Sequence, residues 1–145
     1  MLQPVLLAIL MVAVTVTIHA FGTTYWLRYL IYRFSDHNGH IKEHKALPAV
    51  TWTAVVLMSL HLLEVFVWAL AYLLFLPGEH LDTFEKAAYF SVVTFTTLGY
   101  GDITLVEHDW RLLSGIEALD GILLVGWTTA FLFAVVQRTM MKKGR

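Results

Sequence analysis

The chain has 145 residues, of which 58% are hydrophobic, and its mean hydropathy is +0.67. A soluble domain of this size could not bury so much apolar surface, so the composition favours a membrane protein. The formal net charge of -1 gives no indication of nucleic-acid binding, and the lack of cysteine excludes disulfides and thiol chemistry.

Three stretches are apolar and long enough to cross a bilayer, which takes about 20 helical residues. They cover about 4–26, 47–76 and 110–137. The first stretch has neither a basic leader nor a small-residue cleavage pattern, so we interpret it as a retained transmembrane helix and not as a signal peptide. The sequence therefore predicts an all-α membrane protein with three transmembrane helices.

Basic residues are distributed unevenly among the connections. Eight of the ten lysines and arginines lie between the first two stretches or after the third, and only Lys86, in the second connection, and Arg111, at the start of the third stretch, fall on the other side. The positive-inside rule then places the N-terminus outside and the C-terminus in the cytoplasm. We expect a multi-pass protein of the cell membrane, in contact with lipid, whose small size suits a prokaryotic plasma membrane.

The connection between the second and third stretches contains an apolar segment, 84–95, that is too short to cross the membrane. Asp82 and Glu85 have the spacing of a capping box, so we expect a short helix to begin near Thr83. It precedes the motif "TTLGYGD" at 96–102, in which glycines alternate with residues that carry side chains. Because glycine permits backbone conformations closed to other residues, the carbonyls of this strip can all point one way. Repeated around an axis, such oxygens would replace the hydration shell of a cation.

This motif resembles the selectivity-filter signature of potassium channels. Its context is also similar to the pore domain of that family, and the resemblance covers about residues 46–138. It implies a pore-forming subunit of a potassium-selective channel that works as a homotetramer. It also implies K⁺ ions in the filter, no other cofactor, no nucleic acid and no enzyme activity. The N-terminal helix is additional to the family pattern, and we expect it to pack outside the outer helix.

The resemblance implies four regions, in order from the N-terminus to the C-terminus. The implied regions are an N-terminal transmembrane helix at 1–27, a cytoplasmic loop at 28–46, a pore domain at 47–138 and a cytoplasmic tail at 139–145. The implied parts of the pore domain are an outer helix at 47–76, a pore helix at 83–95, a filter at 97–101 and an inner helix at 110–137.

In the family pattern, the oxygens of the filter bind K⁺. The residues implied here are Thr97, Leu98, Gly99, Tyr100 and Gly101, with the Thr97 hydroxyl at the inner end. Leu98 departs from the pattern, which has valine or isoleucine at this position. Its carbonyl should still face the ion, but leucine is not β-branched and packs differently.

Four neighbouring residues are implied to support the filter: Tyr89, Val93, Thr96 and Asp102. Asp102 is expected behind the outer end of the filter, bonded to Tyr89 on the pore helix. Val93 stands where some bacterial members have a buried glutamate and others a valine.

The resemblance also implies a glycine on the inner helix about twenty residues after the filter. Gly121 lies twenty residues after Gly101, and Gly126 follows. A hinge and close helix packing are equally open explanations for these glycines. The face expected to line the cavity consists of Ile122, Val125, Thr129 and Phe133. We hypothesise a gate near Phe133.

Ionisable residues also lie within the predicted spans, where a charge costs about 2.5–3.5 kcal/mol on insertion scales. They are His19, His61, Glu64, Glu117 and Asp120. A buried polar network of the last four would either sense pH and attract cations or tie the helices together by hydrogen bonds. The second interpretation is favoured.

Three further histidines, His37, His40 and His44, lie in the first loop with a loose spacing. A solvated loop is favoured over a metal site there. Two other functions stay open: a subunit of a K⁺ uptake transporter, which usually carries four filter copies per chain, and a non-conducting regulatory subunit of a channel. An intramembrane metalloenzyme is a third class, but no HExxH or comparable motif supports it.

Overall fold

A computed structural model of the chain describes residues 2–35, 41, 43–76, 81–105 and 108–140, with the backbone alone at 108 and 109. Within these ranges the fold is all-helical and has no β-strand beyond one isolated bridge between Ser35 and Ile41. The four α-helices are α1 (Leu2–Phe34), α2 (Ala46–Phe75), α3 (Phe84–Phe95) and α4 (His108–Met140). A 3-10 turn, Glu43–Lys45, precedes α2.

Three of these helices are long and apolar enough to cross a membrane: α1, α2 and the part of α4 from Trp110 to Met140. The fourth, α3, has 12 residues and is too short to cross. The predicted all-α class with three long apolar helices is therefore confirmed.

Helix α1 continues well beyond the predicted end of the first span at residue 27. It ends at Phe34, so the first seven residues of the predicted loop 28–46 are helical. The reason is tertiary packing, because Trp26 and Leu30 are buried against Ala49 of α2 and Val135 of α4. An apolar helical face with such partners extends a helix past the point where charged residues begin.

We expected α1 to pack outside the outer helix, and the structure shows its contact with α2 together with a second contact. Helix α1 packs against both α2 and α4. Its close approach to α2 is made at Gly22, where a Cβ would lie 2.5 Å from a methyl carbon of Leu60. On the other side, the Thr15 hydroxyl donates a 2.7 Å hydrogen bond to Asp120 of α4. The N-terminal helix is thus in direct contact with both neighbouring helices.

Helix α3 begins where it was expected but by a different cap. The side chain of Thr83 is the N-cap and accepts a hydrogen bond from the Lys86 amide at 3.3 Å. Asp82 instead accepts a 2.6 Å bond from the Lys86 ammonium group. The predicted capping box of Asp82 and Glu85 is therefore wrong by one residue, because threonine is also a favoured N-cap residue and Asp82 bonds Lys86 instead.

Candidate functional site

The segment that follows α3 is anchored to the last turns of that helix. The Val93 carbonyl accepts hydrogen bonds from the amides of Leu98 at 2.9 Å and Gly99 at 3.2 Å. The Thr97 amide donates to the Thr94 carbonyl at 2.9 Å. These bonds satisfy carbonyls that every helix leaves unpaired at its C-terminus. They also fix the start of the "TLGYG" strip relative to α3.

The backbone of this strip alternates in the sign of φ. Thr97, Gly99 and Gly101 have φ of 59°, 56° and 77°, whereas Leu98 and Tyr100 between them are not in the positive region. At Gly99 and Gly101 the positive φ carries no side-chain penalty, because glycine has no Cβ. For Thr97 the left-handed conformation costs about 1–3 kcal/mol, a kind of strain that clusters at functional sites. The sequence gives the reason for glycine at 99 and 101 but no sign of the strain at Thr97.

At the far end of the strip, the structure brings Tyr89 and Asp102 together. The Tyr89 hydroxyl donates a 2.6 Å hydrogen bond to the Asp102 carboxylate. This bond holds the pKa of Asp102 below its ordinary value and raises the pKa of Tyr89. The other two residues implied to support the filter belong to α3 and its end: Val93 is buried, and the Thr96 hydroxyl donates to the Val92 carbonyl at 2.7 Å.

A groove of about 320 Å³ lies at the inner end of the strip. It is lined by Phe95, Thr96, Thr97, Gly121, Ile122, Val125 and Gly126. Of the four residues expected to line a cavity, Ile122 and Val125 therefore border this groove, and Thr129 and Phe133 continue the same exposed face. The predicted face of α4 is thus continuous in space with Thr97.

The two glycines of α4 differ in their surroundings. A Cβ on Gly121 would overlap the carbonyl oxygen of Phe95 and lie 2.8 Å from its carbonyl carbon. A Cβ on Gly126 would meet nothing within 4 Å. Of the two explanations left open by the sequence, close packing therefore accounts for Gly121, which lets α4 touch the end of α3.

A first buried polar cluster lies behind the strip and joins α2, α3 and α4. The Glu117 carboxyl group lies 2.5 Å from the Tyr72 hydroxyl and 2.5 Å from the Ser91 hydroxyl. Ser91 also contacts the Val65 carbonyl at 3.0 Å. All of these side chains are fully buried. The sequence did not predict roles for Tyr72 and Ser91. Each is an isolated polar residue in an apolar helix, and this is the feature of the sequence that could have indicated them.

A second buried polar cluster joins α1, α2 and α4. Glu64 accepts hydrogen bonds from Nδ1 of His19 at 2.8 Å and Nδ1 of His61 at 2.9 Å. The Nε2 atoms of the two rings lie 3.4 Å and 2.9 Å from the Thr128 hydroxyl. Asp120 accepts from Thr15 and from the Trp68 indole at 3.1 Å.

The predicted network of His61, Glu64, Glu117 and Asp120 is therefore not one hydrogen-bonded unit. Glu117 belongs to the first cluster, and only His61 and Glu64 are directly bonded to each other. Helical spacing placed His61 and Glu64 on one face correctly. It could not show which neighbouring helix each carboxylate meets. Of the loop histidines, His37 and His40 lie outside the described residues, and His44 lies in the 3-10 turn before α2.

A comparison with protein families places these observations in context. The family model described as "Ion channel" matches residues 60–138, which is more than half of the chain. The matched region begins within α2 and includes α3, the "TLGYG" strip and nearly all of α4, and it excludes α1. No solved structure matches the chain. The match indicates a channel and not an enzyme. On the strength of the region matched, the chain belongs to this ion channel family.

Proposed function

We propose that the protein is the pore-forming subunit of a potassium-selective channel. The observation that carries this proposal is the strip 97–101, whose φ angles alternate in sign and which is bonded to the end of α3. Four copies around an axis would present rings of carbonyl oxygens, with the Thr97 hydroxyl at the inner end. Such rings replace the hydration shell of K⁺ without a large cost in free energy.

Helix α3 would then act as the pore helix. Its last residue, Phe95, comes two positions before Thr97, so the negative end of the helix dipole lies next to the inner end of the strip. An end carrying about half an elementary charge favours a cation in a site of low dielectric constant. The groove beside Thr97, Ile122 and Val125 would be one quarter of the cavity below the filter.

A homotetramer accounts for the apolar surface along the proposed axis. Leu98 and Tyr100 of the strip are 55% and 67% exposed, and Ile122 and Phe133 of α4 are 58% and 61% exposed. Apolar side chains next to a polar strip indicate an interface with other subunits or a wide pore lining. With one filter copy per chain, four copies complete the ring and give twelve spanning helices.

The distribution of basic residues orients the proposed channel. The N-terminus and the outer end of the filter near Asp102 would face the outside of the cell membrane, and the C-terminal end of α4 would face the cytoplasm. K⁺ would cross passively, down its electrochemical gradient. No resident cofactor is needed for this function.

The test is ion flux into liposomes that contain the purified protein, under a K⁺ gradient and then under a Na⁺ gradient. We expect flux of K⁺ and not of Na⁺. Gly99→Ala should abolish it, because alanine at φ 56° carries a penalty of about 1–2 kcal/mol in every subunit. Gly115→Ala is the matched control, since a Cβ there meets nothing within 4 Å and the residue lies inside α4.

The other outcomes separate the alternatives. Flux of both ions would contradict the proposed selectivity. It would indicate that Leu98, which departs from the family pattern, loosens the filter. A monomer or dimer by native mass spectrometry would contradict the homotetramer and favour a transporter subunit. A verified tetramer that conducts under no condition of pH or voltage would favour a non-conducting regulatory subunit.

A further inference from the structure

The second buried cluster contains three groups that the proposed conduction pathway does not use. One ligand atom from each of His19, His61 and Glu64 lies within 4.8 Å of the other two. Two imidazoles and one carboxylate form a ligand set that zinc and neighbouring transition metals bind, with the fourth position left to water or a hydroxyl group. His19 and Glu64 have fully buried side chains, and the His61 side chain is 14% exposed.

The hydrogen bonds of this cluster are incomplete when both imidazoles are neutral and no cation is bound. Both Nδ1 atoms face the carboxylate of Glu64, so both carry a proton when no metal is bound. The two Nε2 atoms are then acceptors, but the Thr128 hydroxyl has only one proton to donate. It lies closer to His61, at 2.9 Å, than to His19, at 3.4 Å.

A metal bound to the two Nδ1 atoms would remove this shortage. The proton of each neutral ring would move to Nε2, and Thr128 could accept from both rings through its two lone pairs. Histidines that bind a metal almost always donate their other ring N–H to an oxygen in this way. Thr128 therefore stands where an outer partner of both ligands is required.

Asp120 gives a second and independent indication of a cation. Its carboxyl group is 3% exposed, and Oδ1 has no hydrogen-bond partner among the described residues. It interacts electrostatically with both Glu64 and His19. Two buried carboxylates in one region of a membrane protein call for compensating charge, and a divalent cation between neutral histidines would balance both.

We propose that His19, Glu64 and His61 form a transition-metal site of the zinc class between α1 and α2, with Thr128 of α4 as the outer partner of both histidines and Asp120 of α4 as a nearby compensating charge. The site ties the N-terminal helix to the region that matches the ion channel family. Thr128 lies on α4 and precedes Thr129, a member of the face expected to line the cavity. The proposal does not depend on K⁺ selectivity.

The test measures the binding of Co²⁺ and Zn²⁺ to the full-length protein in detergent. Other histidines must first be removed, so the starting variant replaces those outside the cluster with glutamine: His37, His40, His44, His80 and His108. We expect one Co²⁺ per chain and the visible absorption of a four-coordinate cobalt. X-ray absorption of the Zn²⁺-loaded protein should show two imidazole ligands, and this measurement needs no change within the cluster.

Single substitutions then assign the ligands. His19→Gln, His61→Gln and Glu64→Gln should each weaken binding by more than about 100-fold, since even outer partners are worth about 10–100-fold. Thr128→Val should weaken metal binding by about 10–100-fold, and the visible absorption spectrum of the bound Co²⁺ should keep its shape. Thr17→Val, an exposed position on α1, should leave binding unchanged. Circular dichroism and elution volume check that each variant is folded.

Three results would overturn the proposal. The first is a folded starting variant that binds no Co²⁺. The second is binding that survives His19→Gln or His61→Gln, and the third is a zinc spectrum without imidazole ligands. The cluster would then be a hydrogen-bonded contact between helices only. Because binding is measured directly, none of these results is confounded by a failure of the proposed K⁺ conduction.

Discussion

Tyr72 of α2 donates a 2.5 Å hydrogen bond to Glu117 of α4, and both side chains are fully buried. The other carboxyl oxygen of Glu117 lies 2.5 Å from the hydroxyl of Ser91 on α3. One carboxyl group of α4 therefore joins this helix to α2 and α3. A membrane interior supplies no water to replace these partners. The cluster should contribute to stability as a unit and not as separate bonds.

The first prediction is that Glu117→Ala strongly destabilises the protein. It leaves the buried Tyr72 hydroxyl without its partner, at about 1–3 kcal/mol, while Ser91 keeps only its bond to the Val65 carbonyl. The measurement is the thermal unfolding midpoint of the purified protein in detergent. Glu85→Ala, at an exposed position of α3, should have little effect.

A combined variant tests whether the loss of stability comes from unpaired polar groups. Glu117→Leu together with Tyr72→Phe and Ser91→Ala removes all three polar groups, so it should be more stable than Glu117→Ala alone. A combined variant that is less stable than the single one would contradict a role based on hydrogen bonding. It would indicate that packing volume decides the stability of this region.

The second prediction concerns acid sensitivity at the outer end of the strip. The bond from Tyr89 lowers the pKa of Asp102, so its contribution to stability is present above the ordinary carboxyl pKa of about 3.9 and is lost as pH falls through the lower folded value. In Tyr89→Phe the pKa of Asp102 should rise toward its ordinary value. Loss of K⁺ flux on acidification should then begin at a higher pH than in the unchanged protein. Tyr32→Phe, on an exposed part of α1, is the control.

This acid response is measured as K⁺ flux while the pH outside the liposomes is lowered from neutrality. Identical acid profiles for Tyr89→Phe and the unchanged protein would show that the bond between Tyr89 and Asp102 has no part in holding the conducting form.

The third prediction separates the two glycines of α4. Gly121→Ala should destabilise the protein, because the added Cβ overlaps the rigid carbonyl of Phe95. Gly126→Ala should stabilise it by up to about 1 kcal/mol, since alanine is the better helix former and the site is open. Thermal unfolding of both variants tests this. A Gly126→Ala variant that is more stable but conducts less K⁺ would favour a hinge at Gly126.

Some of the fold could be predicted because it depends on local properties of the chain. The three long helices follow from hydropathy over about 20 residues, and the strip 97–101 follows from a motif that needs glycine at positive φ. The pair His61 and Glu64 follows from helical periodicity. Each of these inferences uses residues that are close in sequence.

The features that could not be predicted depend on contacts between distant segments. Thr15 and Asp120 are 105 positions apart, and His19 and Glu64 are 45 positions apart. The periodicity of α1 gives its polar face but not the helices that this face meets. The end of α1 at Phe34 was missed for the same reason, because it depends on burial of Leu30 against α2 and α4.

The last prediction is that Phe133→Ala increases the time that the channel is open. Phe133 is 61% exposed and lies on the same face of α4 as Ile122 and Val125, which border the groove below the strip. Four phenylalanines at this level of a tetramer would form an apolar constriction, and such constrictions close a pore by excluding water. Single-channel recording in planar bilayers should show a higher open probability for the variant. Leu123→Ala, an exposed apolar residue about 80° from Phe133 around the helix, should leave it unchanged. An equal open probability for Phe133→Ala and the unchanged protein would place the gate elsewhere on α4 or within the filter.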